Sequence, residues 1–311
     1  MKSRTLIWAM MLLAMPLLVL SCNSGSDSNY NKENEECRPA SIREKVRGLE
    51  KKFVNELLDE DKRYAQILKD LMTDETVAAA MNMSMKETED ALVQMLTANG
   101  IERSEAEAKV DRFVNEIMVD LNIKHFLPYC KKHLTMQELK EVKEIYDNKE
   151  YQKLNSMTLE AQKKNMRHLE ALMSQAVLSI MSGEEPEPVD RNVGYSDRYM
   201  SLCKECLEVT NADMLVDNVL SQMSMAMGGN AESNKAIEAL GKYFKENFAT
   251  MYANMYYGTL NEEDLEKVIG YTKKPAMQKF MQANLERSKN LEGYINDVNS
   301  KVNEFIRENT K

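Results

Sequence analysis

The chain has 311 residues, with 41 basic and 50 acidic side chains, a formal net charge of −9, and only 11 Gly and 6 Pro. An acidic chain with scattered lysines offers no basic stripe to neutralise phosphates, which argues against nucleic acid as a partner and against electrostatic adsorption on anionic lipid. Abundant Met, Leu, Ala, Glu and Lys with few helix breakers select an all-α fold.

The first segment has the three parts of an export signal. Lys2 and Arg4 give a positive start, Leu6 to Leu20 form an apolar run interrupted only by Pro16, and Ser21 supplies a small residue before Cys22. Fifteen residues fall short of the roughly 20 that a helix needs to cross the hydrocarbon core. The run Val19-Leu20-Ser21-Cys22 resembles a lipobox, the motif read by bacterial lipoprotein signal peptidase. That resemblance implies cleavage after residue 21 and lipidation of Cys22; no second long apolar stretch follows, so no other span is expected. The expected location is the bacterial cell envelope, with the body outside the cytoplasm and the outer membrane favoured over the inner. Removing Lys2 and Arg4 with the signal leaves 39 basic against 50 acidic groups in 290 residues, a net charge of −11. Residues 22–40, rich in Ser, Asn, Gly and Glu, are too polar to bury a core and read as a flexible tether.

Beyond the tether, helix starts are marked by capping boxes, in which a Ser, Thr or Asn and an acidic residue three positions on satisfy each other's backbone N–H groups. Ser41–Glu44, Ser104–Glu107, Thr135–Glu138 and Asn261–Asp264 fit this pattern. Apolar residues then recur at helical spacing, as in Val46, Leu49, Phe53, Leu57 and in Leu139, Val142, Ile145, Tyr146. Phe244, Phe248, Tyr252, Tyr256 and Tyr257 read as a core face in the same way, with a partly exposed tyrosine face serving as a partner groove as the alternative. Residues 182–196 carry two prolines and four acidic residues and read as a linker, which divides the body into helical repeats at 41–181 and 197–311.

The two halves are related by a shift of 126 positions. Over residues 134–163 and 260–289 the ungapped comparison gives eight identities, including Leu134 with Leu260, Leu139 with Leu265, Val142 with Val268 and Lys153 with Lys279. The capping residues Thr135 and Asn261 coincide, as do Glu138 and Asp264. Each half is expected to end in one long helix, over 149–181 and 275–307. The run Leu134-Thr135-Met136-Gln137-Glu138-Leu139, followed by Ile145-Tyr146 and Lys153, resembles the bacterial domain-of-unknown-function family 2059. The second copy stands as Leu260 to Leu265, Tyr271-Thr272 and Lys279. The family has Gly two residues before that Lys, where this chain has Tyr151 and Met277. The resemblance implies a helical, exported domain and assigns no activity.

Chemistry-bearing motifs are few. Cys203-Lys-Glu-Cys206 is a CxxC on a segment that reads as helix, so a structural disulfide or idle thiols fit better than a redox centre, which needs a βαβ frame. Two Met-x-Met-x-Met runs, Met81, Met83, Met85 and Met223, Met225, Met227, offer soft thioethers suited to Cu(I) or Ag(I). Residues two apart do not share a helix face, and Met also fills helical cores. Ser201 and Lys204 match S-x-x-K without its companion motifs, and His125, His133 and His168 show no ligand spacing. The expected function is therefore a tethered helical interaction or assembly module with an envelope protein partner, without catalysis or cofactor. The alternative is a periplasmic soft-metal or small-ligand binding protein.

Overall fold

A computed structural model of the chain describes residues 59–73, 89–191, 194–214, 216–217, 220–221, 231–290 and 292–309. Among the described residues 85 % are helical and none lies in a strand or sheet, so the fold is all-α. No described helix is long and apolar enough to cross a membrane. The signal, Cys22, the tether and the box at Ser41–Glu44 lie outside the described residues.

In chain order the helices are α1 (Asp59–Met72), α2 (Arg103–His133), α3 (Met136–Asp147), α4 (Lys149–Ser182), α5 (Asp197–Val209), α6 (Ala231–Tyr256), α7 (Glu262–Thr272), α8 (Pro275–Ser288) and α9 (Glu292–Asn309). Two of the expected caps are present. Glu138 N–H donates to Thr135 Oγ1 (3.2 Å) while Thr135 N–H donates to Glu138 Oε2 (2.8 Å). Asn261 and Asp264 exchange the same bonds at 2.9 and 3.0 Å. Ser104 does not cap: α2 begins at Arg103, and the Glu102 carboxylate accepts from Ser104 N–H instead. A carboxylate at a helix N-terminus gains from the axial dipole as well as from the bond. The α4 helix ends on Gly183, whose φ of 79° is the left-handed conformation that closes a helix without a Cβ clash.

The second terminal helix departs from expectation. Instead of one helix over 275–307, α8 ends at Ser288 in a turn closed by Lys289 N–H to Glu286 and Asn290 N–H to Arg287, and α9 starts at Glu292. The border between the two compact units falls inside α8, so its last turns and all of α9 belong to the same unit. One unit spans Asp147–Met281; the other combines the described residues up to Tyr146 with Gln282–Asn309. The expected division at 182–196 therefore falls inside the first unit. Those residues connect α4 to α5 within a single core and do not separate two bodies. The segment is also pinned. Val189 N–H donates to Asn247 Oδ1 (2.8 Å), and Asn254 donates to the Asp190 carbonyl (2.8 Å).

In the 147–281 unit, α4 packs on α6 and α7, and α5 packs on α6 and α7. One cluster joins Leu154 and Ala161 of α4 to Cys203 and Cys206 of α5, Tyr252 and Tyr256 of α6, and Leu265 of α7. A second joins Met173 and Ala176 of α4 to Leu240, Phe244 and Met251 of α6. The aromatic face expected on α6 is core at Phe244, Tyr252 and Tyr256, whereas Tyr257 lies past the helix end and is 45 % exposed. In the other unit, α1 and α9 pack on α2. Phe305 of α9 stacks on Phe113 of α2 (centroids 4.1 Å apart) beside Val110 and Val114.

Candidate functional site

Burial of an apolar stripe positions the CxxC. Tyr199, Leu202, Cys203, Cys206 and Leu207 recur at helical spacing on α5 and form its buried face. Both thiols are inside the core and unbridged. Burial pushes the Cys203 thiol up to about 12, although the Tyr199 hydroxyl beside it pulls the other way. The same burial raises Tyr199. A nucleophilic or redox cysteine needs the opposite, a thiolate held at low pKa in a partly exposed, electropositive place. The pair has the character of core side chains.

Around the start of α5, Tyr195, Tyr199 and Tyr257 meet pairwise with centroids 5.4 to 5.6 Å apart. Arg191 lies over the Tyr195 ring at 4.6 Å, pairs with Asp197 at 3.2 Å and donates to the Tyr195 carbonyl. The rings touch each other and leave no interior for a cationic ligand, so the cluster fastens the 191–199 corner.

A buried polar row on α4 was not legible in the sequence. Asn155, Thr158 and Gln162 are each almost fully buried at i, i+3, i+7 spacing. Gln162 donates to Tyr256 Oη (2.8 Å) and Thr158 to the Leu154 carbonyl, whereas neither amide atom of Asn155 finds a partner.

The second unit holds two equivalent ionic clusters. Lys124 and His125 of α2 converge on Asp297 of α9 at 2.5 and 2.8 Å, and Lys132 and His133 converge on Glu286 of α8. Hydrogen bonds from these lysines and histidines hold both carboxyls below the usual carboxylate range. Between the clusters Arg287 donates to Asn122 Oδ1, with its guanidinium 5.5 Å from the Phe126 ring centroid and 5.2 Å from that of Tyr294. Burial lowers its pKa, yet an arginine stays charged in a protein. Two histidines that lacked ligand spacing thus serve as partners of carboxylates. Helical repetition at i, i+8 was the available signal.

An open groove of about 660 Å³ lies against α6, lined by Leu220, Ile237 and Gly241 together with the charged Asp217, Lys242 and Lys245. A Cβ on Gly241 would lie 2.8 Å from Leu220 Cδ1, so a larger residue there would have to displace the Leu220 side chain. No family model, curated protein or solved structure matches the chain. Both methionine runs, Met81, Met83, Met85 and Met223, Met225, Met227, lie outside the described residues. Among the described residues, no group of three or more His, Cys, Asp or Glu side chains is placed to hold a metal ion. On α4, Leu178 and Met181 stand one turn apart on the exposed side, 67 % and 63 % accessible.

Proposed function

We propose that this chain is a bacterial envelope lipoprotein, held to a membrane through lipidated Cys22, whose all-α body acts as an interaction and assembly module. The observation that carries the reading is Val19-Leu20-Ser21-Cys22 at the end of a fifteen-residue apolar run, followed directly by a polar segment. The packing of the CxxC thiols into the core and the uncovered Leu178 and Met181 favour a protein-contacting role over redox chemistry. With a net charge of −11 after cleavage, the body has no attraction of its own for an anionic bilayer, so the lipid alone must anchor it.

The test is fractionation of cells making the full chain or its Cys22→Ala variant. The variant should leave the membrane pellet or accumulate uncut. A processed variant that stays membrane-bound in high salt would defeat the anchor. For the module, a photo-crosslinking residue at Leu178 in intact envelopes should trap a discrete protein adduct that Met181→Glu diminishes. Absence of any adduct would count against a protein partner on that face.

A further inference from the structure

The two compact units do not coincide with the two sequence halves. Helix α4 directly follows α3 in the chain, yet it lies in the unit that holds α5, α6 and α7. Helix α9, at the far end of the second half, lies in the unit that holds α1, α2 and α3. The shift of 126 positions relates the two arrangements. It carries the start of α3 (Met136) onto that of α7 (Glu262), and the start of α4 (Lys149) onto that of α8 (Pro275). It also places Val114 of α2 on Leu240 of α6, and Ala176 and Ile180 of α4 on Val302 and Ile306 of α9.

These matched residues make matched contacts. Ala176 and Ile180 pack in the cluster that contains Leu240. Val302 and Ile306 pack in the cluster that contains Val114. In each unit, the same face of the long central helix is covered by the closing helix of the opposite half. Connection length alone does not explain this, because α4 is joined to α3 within two residues and short connections ordinarily keep neighbours in sequence together in space.

We propose that each half is an open fold that closes only by taking the terminal helix of another such half, so that this chain is a fused pair and the partner its repeat recognises is a second repeat of its own kind. The receptor is the α2 or α6 face; the occupant is an amphipathic helix presenting the Ala176–Ile180 or Val302–Ile306 pattern. The exposed stretch at Glu184–Glu187 is then a place where the backbone can be cut without parting the two halves, since α4 lies before the cut and its receptor α6 after it. This inference concerns how the body closes and is independent of the lipid.

The experiment uses the whole mature chain with Cys22→Ala, so that membrane attachment plays no part, and a specific protease site inserted between Glu185 and Pro186. After complete cleavage, the two pieces should elute together at the size of the uncut protein at sub-micromolar concentration, with unchanged helical signal, and separate only in denaturant. Ala176→Arg with Phe305→Asp should raise the dissociation rate of the cut pair at least tenfold. Leu178→Arg with Ile295→Arg, on exposed positions of the same two helices, should leave it unchanged. If the first pair loses helical signal before cutting, Met173→Ala with Phe305→Ala gives a milder reading of the same kind. Native separation of the cut wild-type pieces would overturn the proposal. So would equal dissociation of the buried-face and exposed-face variants, because the halves would then be held by some other surface.

Discussion

A thiol with a pKa near 12 is ionised in roughly one molecule in 10⁵ at pH 7, against a few per cent for an ordinary cysteine. Cys203 should therefore resist a disulfide reagent in the native protein and react at the normal rate in guanidinium, with peptide mapping to locate the label. Rapid native labelling of Cys203, or a Cys203–Cys206 bridge in unreduced peptides, would contradict the buried free pair. Asn155 gives a second test. Its amide is buried with neither polar atom bonded, and such a group costs about 1–3 kcal/mol in lost hydration. Asn155→Leu keeps the branched outline, with more bulk, and removes the unpaired atoms, so thermal unfolding should shift upward by an amount equivalent to about 1 kcal/mol. A large drop would mean that the amide is needed. The sequence placed the CxxC on a helix correctly because Tyr199, Leu202, Cys203 and Cys206 keep helical spacing. It was silent about Asn155, since spacing shows which residues share a face and not whether a polar one among them will find a partner.

Element boundaries depend on a few local bonds, and these were the most readable part. Thr135 and Asn261 announce α3 and α7 because the reciprocal bonds of a capping box lie within four residues of chain. Thr135→Ala and Asn261→Ala should each lower stability by about 1 kcal/mol, read from denaturant midpoints, while Ser104→Ala should cost less because Glu102 holds that end. Equal losses at all three positions would refute the assignment of Glu102 as the cap. The break between α8 and α9 escaped notice because nothing in Ser288-Lys289-Asn290 forbids a helix. It is set by where α9 packs, on α2, and that is a long-range fact. The 182–196 segment misled for a related reason: Pro and acidic residues mark an interruption of helix, not a border between cores.

The whole molecule should respond unevenly to acid. Asp297 and Glu286 have carboxyls held below their usual range by Lys124 with His125 and by Lys132 with His133. A carboxyl depressed in the folded state stabilises it above the unfolded value, near pH 4, and that contribution disappears as pH falls through the folded pKa. Amide protection over 292–309, measured relative to the intrinsic exchange rate at each pH, should therefore fall below about pH 4 before that over 169–182, where α4 is held by Met173, Ala176, Val177 and Ile180. Asp297→Asn with Glu286→Gln should weaken protection over 292–309 at neutral pH and flatten this response. Simultaneous loss in both segments would show that the ionic clusters do not set the order.

The path of the chain also has a consequence in time. A chain exported as proposed presents α4 when Ser182 emerges, but its receptor is complete only at Tyr256, 74 residues later. At about 5–20 residues per second this is roughly 4–15 s in which Met173 and Ala176 lack the complete α6 surface they pack on. The face of α2 waits longer, from His133 until α9 ends at Asn309. Closure of both cores must therefore wait until nearly the last residue is out. On the proposed export, depleting periplasmic holdases should reduce the yield of this protein far more than that of an exported bundle whose helices pack in the order they are made.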